Sequence, residues 1–274
     1  MKKILMPLAF AVFTPLFASV SEIKVDLRLD SSDYVTGERI RGVVDIANSS
    51  PDKIGHGLGG CRDVFFIEVF RAHDMHQLAR IEKKAFIADF YLKSGEGQKF
   101  EVFLGDHYAL RETRRYLAKP VLVHKGTRYE GDVRAFDVVE GVKLAGAMQM
   151  FSGNSSLQRN FSISYWLRSG KEHLFLLASD TGSINRTFET RDLGPVSRLD
   201  KPTVSVLPGG EVIVFHRLNT DQFLRTEFWS LPKNLEFRSQ EIVADPETAG
   251  TASVRELYRK EGVKPKVNPW WKFW

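Results

Sequence analysis

Cysteine is almost absent from this chain: Cys61 is the only one among 274 residues. A single cysteine excludes an intramolecular disulfide. A lone cysteine is more often a small buried apolar residue than a reactive thiol. We therefore expect the stability of the chain to come from packed cores and not from covalent cross-links.

An excess of one charge sign is also missing. The chain has 39 Lys+Arg against 34 Asp+Glu. Without Lys2 and Lys3 the balance becomes 37 against 34, a net charge of +3. A surplus this small gives no indication of a phosphate backbone as ligand. We therefore expect no nucleic-acid partner.

Long apolar runs are missing after the first residues. Lys2 and Lys3 precede the mostly apolar run "ILMPLAFAVFTPLFA", which is shorter than the roughly 20 residues of a membrane-spanning helix. Small residues, Ser19 and Ser21, lie at the two cleavage-determining positions. This layout is typical of a secretory signal peptide. We expect residues 1–21 to be removed and the chain to be exported, to the periplasm or the cell exterior.

Strand signals dominate the part that follows, residues 22–145. Short runs rich in β-branched and aromatic residues are bounded by turn residues, a spacing typical of an antiparallel sandwich. The runs are "EIKVDLRLD", "RIRGVVDIAN", "DVFFIEVFRA", "FEVFLG", "KPVLVH" and "RAFDVVEG".

One stretch in this region resembles a known family. From Tyr34 to Ser50 the chain follows YxxGExIxxxVxIxNxS, with a turn at Gly37 and Glu38 between the first two strands. The pattern resembles the start of many bacterial immunoglobulin-like domains. The resemblance implies an immunoglobulin-like β-sandwich over residues 22–145, and it implies no activity.

A second β-rich region follows, over residues 161–246. The segment before it, 146–160, is small and polar after its methionines and predicts a linker. Within the second region residues match at an offset of 40, close to the length of a four-stranded propeller blade. The matching pairs are Leu167 and Leu207, Gly170 and Gly210, Phe175 and Phe215, Phe188 and Phe228, and Arg198 and Arg238.

Residues at the ends of the two repeats give a more specific resemblance to propeller blades. Thr190, Asp192 and Gly194, and Ser230 in the second copy, resemble the Asp-box of sialidase-type propellers, [Ser/Thr]-x-Asp-x-Gly-x-x-Trp. The resemblance implies blade-like hairpins with structural turns at these residues and no catalytic role. Two units are too few for a closed propeller of about 4–8 blades. We expect a β-sandwich or an open pair of sheets.

Three motifs are candidates for a ligand-binding or catalytic site. Residues 55–60, "GHGLGG", have glycines at phosphate-loop spacing but precede a strand, whereas such a loop needs a helix. His73 and His76, with His56, could approach each other, but a zinc site needs three or four convergent ligands with fixed partners. Two histidines and Asp74 at a predicted hairpin tip are most simply a solvated turn. The run 111–119 is basic and is most simply a solvated face. The sequence predicts no catalytic residue, metal or cofactor, and favours a non-enzyme.

The last region, residues 247–274, ends in aromatic residues. "TASVRELYRKEG" predicts a short helix over 251–262, and Pro265 and Pro269 then exclude a longer one. Three hypotheses stay open for the tail: it docks on the protein itself, it lies on a membrane surface, or it binds a partner. The tail residues are Trp270, Trp271, Phe273 and Trp274.

The sequence leaves two hypotheses for function. The first is an exported, non-enzymatic binding or scaffold protein of the bacterial cell envelope, with an unknown protein or glycan as partner. The second is a carbohydrate-binding or degenerate glycosidase-like protein, suggested by the Asp-box-like residues. Nothing in the sequence identifies the partner or the oligomeric state.

The signal peptide supplies a first prediction. Protein recovered from the periplasmic or secreted fraction should begin near Glu22, because small residues precede it at the cleavage positions. N-terminal sequencing measures this directly. Recovery of chains that still begin with Met1 in those fractions would contradict export by this route.

Overall fold

The computed structural model describes residues 23–82, 84–151, 158–181 and 186–244. These residues form strands and one short 3₁₀ helix at Leu104–Asp106, and the described ranges contain no α-helix. The prediction of an all-β chain is confirmed. The predicted signal peptide, the helix over 251–262 and the aromatic tail lie outside the described residues.

The first unit, residues 23–139, contains ten strands. Their bounds are β1 (Ile23–Leu29), β2 (Asp33–Val35), β3 (Arg41–Asn48), β4 (Ile54–His56), β5 (Val64–Arg71), β6 (Phe90–Leu92), β7 (Gly97–Phe103), β8 (Arg114–His124), β9 (Thr127–Glu130) and β10 (Arg134–Val139). One sheet has the order β1-β3-β7, and another has the order β2-β10-β8-β5 with β9 beside β8. β4 pairs with β6.

Both sheets of the first unit contribute to one hydrophobic core. Along β3 buried and partly exposed residues alternate, because successive side chains of a strand point to opposite faces. Val44 and Ile46 of β3 belong to the same buried cluster as Ile67 of β5 and Phe136 of β10. Among the described residues the buried members of this cluster lie between residues 23 and 138, so the core closes within the first unit.

The second unit, residues 142–244, contains two four-stranded antiparallel sheets. Each follows chain order, β11-β12-β13-β14 and β15-β16-β17-β18. Their bounds are β11 (Val142–Met150), β12 (Gln158–Arg168), β13 (Lys171–Thr181), β14 (Arg186–Pro195), β15 (Thr203–Val206), β16 (Glu211–Arg217), β17 (Gln222–Ser230) and β18 (Leu235–Ala244). Phe161 and Leu176 of one sheet share a buried cluster with Val212 and Phe228 of the other.

The predicted linker differs from the structure. Residues 146–150 belong to β11 and residues 158–160 belong to β12, so the boundary between the units falls earlier, at residues 140–141. β11 is an edge strand, and most of its residues are partly or fully exposed. Edge strands carry small and polar residues, and their composition therefore resembles that of a linker.

The 40-residue repeat matches hairpins and not whole sheets. Gly170 (φ 77°) lies in the β12–β13 turn, and Gly210 (φ 86°) lies in the β15–β16 turn. Both take the left-handed conformation that glycine tolerates best. The matched hairpin forms the second and third strands of one sheet but the first and second strands of the other. Residues that match in sequence therefore occupy different sheet positions.

The separate cores predict that the first unit folds alone. A fragment of residues 22–141 keeps the buried residues of the first core, which lie between residues 23 and 138, and loses its contacts with the second unit. We expect one cooperative unfolding transition in urea, with coincident fluorescence and circular dichroism signals. A fragment that is insoluble, or that unfolds without cooperativity, would mean that the second unit completes the core.

Candidate functional site

The contact between the two units begins at a turn of the first. Residues 35–38 join β2 to β3, and Gly37 takes a positive φ of 81° there. The backbone N–H of Glu38 donates to the Val35 carbonyl at 2.8 Å, and the Val35 N–H donates to Glu38 Oε2 at 3.0 Å. The turn therefore holds the Glu38 carboxylate in one orientation.

Arg168, the last residue of β12, binds this carboxylate from the second unit. Its Nη1 donates to Glu38 Oε1 and its Nη2 to Oε2, both at 2.7 Å. Nη1 also donates to Asp192 Oδ2 at 3.0 Å, and Nη2 to the Asp33 carbonyl at 3.2 Å. The guanidinium lies 4.9 Å from the centroid of the Phe175 ring. Paired contacts of this kind are strong and directional.

Asp192 completes the cluster. Its Oδ2 lies 3.0 Å from His173 Nδ1, and its Oδ1 accepts from the Gly194 N–H at 2.8 Å. Thr190 Oγ1 donates to the Thr36 carbonyl of the first unit at 2.8 Å. The structure therefore brings three of the residues predicted from the Asp-box resemblance to the contact between the units.

The predicted turn at these residues is wrong. Thr190, Asp192 and Gly194 lie inside strand β14, where the pairing register shifts opposite residues 174 and 175. The Asp192 side chain bonds the backbone two residues later, as Asp does in a turn. Here the bond accompanies a β-bulge within the strand. A short motif of this kind does not distinguish a bulge from a turn.

Burial acts on the charges of this cluster. It raises the pKa of Glu38, because a low dielectric penalises the carboxylate, while the hydrogen bonds and charge of Arg168 act in the opposite direction. Burial by itself lowers the pKa of Arg168, but the hydrogen bonds and charge of Glu38, with the charge of Asp192, outweigh it and the pKa is raised. The side chains of Arg168 and Glu38 are only 15% and 12% exposed.

Ser230, the remaining predicted turn residue, ends β17 and contacts a second buried arginine. Arg159 Nη1 donates to Ser230 Oγ at 3.0 Å and to the Leu231 carbonyl at 2.7 Å. Its Nη2 donates to the Pro232 carbonyl at 3.2 Å, and Asp180 accepts from Nε at 2.7 Å. Arg159 thus fastens the β17–β18 turn to the other sheet. A structural role for Ser230 is consistent with this geometry.

A cleft of about 410 Å³ lies beside the cluster of Glu38, Arg168 and Asp192. We call it the interunit cleft. The first unit contributes Glu38 and Arg39 to its lining, and β14 contributes residues 190–193. The last two strands contribute Thr226, Phe228, Phe237 and Gln240.

The walls of the interunit cleft are held together by the sheet. Phe228 and Phe237 are paired across β17 and β18, and their ring centroids lie 5.8 Å apart in an edge-on arrangement. Gln240 Nε2 donates to the Leu193 carbonyl at 2.9 Å and to Thr226 Oγ1 at 3.1 Å. The cleft therefore combines an aromatic surface with oriented polar groups, the usual composition of a small-ligand site.

No protein-family profile and no curated protein matches the chain. Eighteen chains of solved structures do match. One of them is the sporulation control protein Spo0M of Bacillus subtilis, which is 13% identical, with 88% of this chain and 96% of that chain covered and a TM-score of 0.29. We base no argument on a likeness at this level.

The other sequence candidates lie apart from this site. His56 Nδ1 is 2.8 Å from the Asp63 carbonyl, whereas His73 Nε2 is 3.3 Å from an Asp74 oxygen. Among the described residues no three His, Cys, Asp or Glu side chains form a group that could hold a metal ion. Cys61 is partly exposed. No helix in the described ranges is long and apolar enough to cross a bilayer.

The basic run 111–119 is largely neutralised by acidic neighbours. Arg115 donates to both oxygens of Asp137, at 2.9 and 2.8 Å. Lys119 Nζ lies 3.2 Å from Glu68 and 3.1 Å from Glu130. These contacts agree with the interpretation of the run as a solvated face.

Sequence reasoning missed the residues that organise the site. The sequence pattern around Glu38 predicts only a turn. Arg159 and Arg168 belong to none of the motifs described above. Each arginine contacts residues far away in the chain, at separations that no local pattern encodes. One available signal was alternation: Leu157 and Phe161 lie two residues before and two residues after Arg159. Alternate residues of a strand share a face, so this pattern predicts burial of Arg159.

The contact between the units yields a prediction on stability. Replacing Arg168 by Met leaves Glu38 and Asp192, whose side chains are only 12% and 18% exposed, without their cation. Removing one partner of a fully buried pair costs about 3–5 kcal/mol, and we expect a loss near the lower end of that range. As a control, Arg198→Met removes an exposed arginine, 54% accessible, that pairs with Glu172, and exposed pairs contribute at most about 1 kcal/mol. Urea unfolding of the mature chain measures both free energies.

A double variant tests whether the loss comes from an unpaired charge. Glu38→Met combined with Arg168→Met removes Glu38 together with its cation and leaves only Asp192, which keeps its contacts with His173 and the Gly194 N–H. The double variant should therefore be more stable than Arg168→Met alone. Equal losses for Arg168→Met and Arg198→Met would contradict a special role for the buried pair.

Proposed function

We propose that this chain is an exported, non-enzymatic binding or scaffold protein of the bacterial cell envelope, and that the interunit cleft is its contact site. In this proposal the first unit is an immunoglobulin-like sandwich. The second is a pair of blade-like sheets with remnants of the Asp-box. The partner is a protein or a glycan.

The observation that carries the proposal is the composition of the cleft. The partly exposed ring of Phe237, which packs edge-on against the buried Phe228, lies beside Gln240 and Thr226, whose hydrogen bonds hold them in place. Binding sites combine an apolar surface with a few oriented polar groups in this way. The volume, about 410 Å³, lies within the usual range of roughly 300–1,000 Å³.

The neighbouring ion pairs support a preformed site. Glu38 and Asp192 line the cleft, and both accept hydrogen bonds from Arg168. Their orientation therefore does not have to be established when a ligand arrives. A site organised before binding loses less conformational entropy on association.

The same lining favours one alternative, a carbohydrate ligand. Sugars combine apolar faces with many hydroxyl groups, and the cleft presents Phe237 together with Gln240 and Arg191. The degenerate glycosidase-like interpretation would use this surface for recognition alone. A membrane contact through the aromatic tail is a third hypothesis, and it is tested by the vesicle measurement described below.

Photo-crosslinking tests the contact site. A photoreactive amino acid replaces Gln240 in the cleft or, as a control, Val64 of the first unit, which is 49% exposed and outside the cleft. Irradiation in cell-envelope fractions should give a discrete adduct of higher mass at position 240 and none at position 64. Adducts at both positions, or at neither, would contradict the assignment.

A glycan array separates the two kinds of partner. The mature chain is compared with Phe237→Ala and with Ile242→Ala. Phe237 and Ile242 lie on β18 and are each 36% exposed, but only Phe237 lines the cleft. Binding that Phe237→Ala abolishes and Ile242→Ala retains would establish a sugar ligand. An array without signal, together with the adduct at position 240, would favour a protein.

A further inference from the structure

The last strand of the second unit leads from the interunit cleft into the aromatic tail. Phe237 and Gln240 of β18 form part of the cleft lining, and β18 ends at Ala244. Four residues of strand, at about 3.3 Å each, separate Gln240 from Ala244. The chain therefore leaves the described residues close to the cleft.

The segment that follows β18 is long enough to bring the tail aromatics back to the interunit cleft. Residues 245–269 precede the first tail aromatic, and an extended chain spans at most about 3.3–3.6 Å per residue. This reach greatly exceeds the short distance from Ala244 back to the cleft. Pro265 and Pro269 restrict the backbone just before the aromatic residues. A restricted segment loses less entropy when it docks.

The tail needs an apolar contact. Trp270, Trp271, Phe273 and Trp274 would each bury about 150–250 Å² of surface, and contiguous apolar patches of this size are rarely left in water. The interunit cleft offers the partly exposed ring of Phe237 beside the buried ring of Phe228, in a volume of about 410 Å³. Two other concavities of the protein include no residue of β18 in their linings.

We propose that the aromatic tail of this chain docks in its own interunit cleft, with one or two of its tryptophans against the partly exposed ring of Phe237. The tail then occupies the contact site until a partner displaces it. This inference rests on the proposed function only in that both use the same cleft. Its test needs no partner.

The test measures the fluorescence emission and quenching of the tail tryptophans in the full mature chain. Trp166→Phe and Trp229→Phe remove the other tryptophans, so that emission comes from residues 270, 271 and 274 alone. We expect blue-shifted emission and protection from iodide and acrylamide. Phe237→Glu in this background should shift the emission to the red and abolish the protection, because a carboxylate in the cleft opposes an indole ring.

Ile242→Glu is the matched control, since Ile242 lies on the same strand with the same 36% exposure but outside the cleft lining. It should leave emission and quenching unchanged. Urea unfolding of each variant establishes that the fold is retained. If Phe237→Glu loses the fold, Gln240→Arg provides the second cleft variant, and it should expose the tail in the same way.

Three outcomes overturn the inference. Tail tryptophans that are red-shifted and fully quenched before any cleft substitution exclude docking on the protein. Protection that Phe237→Glu and Gln240→Arg both leave intact places the tail elsewhere. A blue shift that needs vesicles of phosphatidylglycerol and phosphatidylcholine indicates a membrane contact and also contradicts docking.

The two proposals fail separately. Protected tail tryptophans, together with no adduct at position 240 in a chain that lacks residues 270–274, would support docking of the tail and contradict the proposed contact site. An adduct at position 240 in a chain whose tail is fully quenched would support the contact site and contradict docking.

Discussion

The buried pairing of Arg168 with Glu38 is the interaction on which the arrangement of this protein depends. Each unit has its own core, so neither needs the other for hydrophobic burial. The relative position of the two units is instead set by directed polar contacts, in which one guanidinium bonds a carboxylate of each unit. The interunit cleft exists because these contacts hold a turn of the first unit against β14.

Strand β12 carries both of the buried arginines, and they lie at its opposite ends. Arg159 binds the β17–β18 turn, and Arg168 binds the first unit. With a rise of about 3.3 Å per residue, the two anchoring points are roughly 30 Å apart. Apolar side chains could fill these positions with similar stability, but only a charged, forked donor selects a single set of acceptors. β12 therefore sets the positions of the β17–β18 turn and of the first unit, in addition to packing in the core of the second unit.

The all-β class and part of the strand pattern can be predicted from the sequence, because the alternation of apolar and polar residues is a local signal. Strand β3 is an example, since its buried residues alternate as the order of its residues predicts. The linker prediction failed at β11, where an exposed edge strand has the composition of a loop. The turn predicted at Asp192 is a bulge, since the same side-chain bond occurs in both. The site itself was not predictable, because Arg168 and Glu38 meet across 130 residues.

The difference in burial among the ion pairs has a consequence for ionic strength. Exposed pairs such as Arg39–Asp106, with side chains 63% and 51% accessible, are screened over a Debye length of about 8 Å at physiological salt. The pair of Arg168 and Glu38 is shielded from mobile ions. For a protein proposed to function outside the cytoplasm, salt would therefore alter the electrostatic potential of the surface while the angle between the two units stays constant.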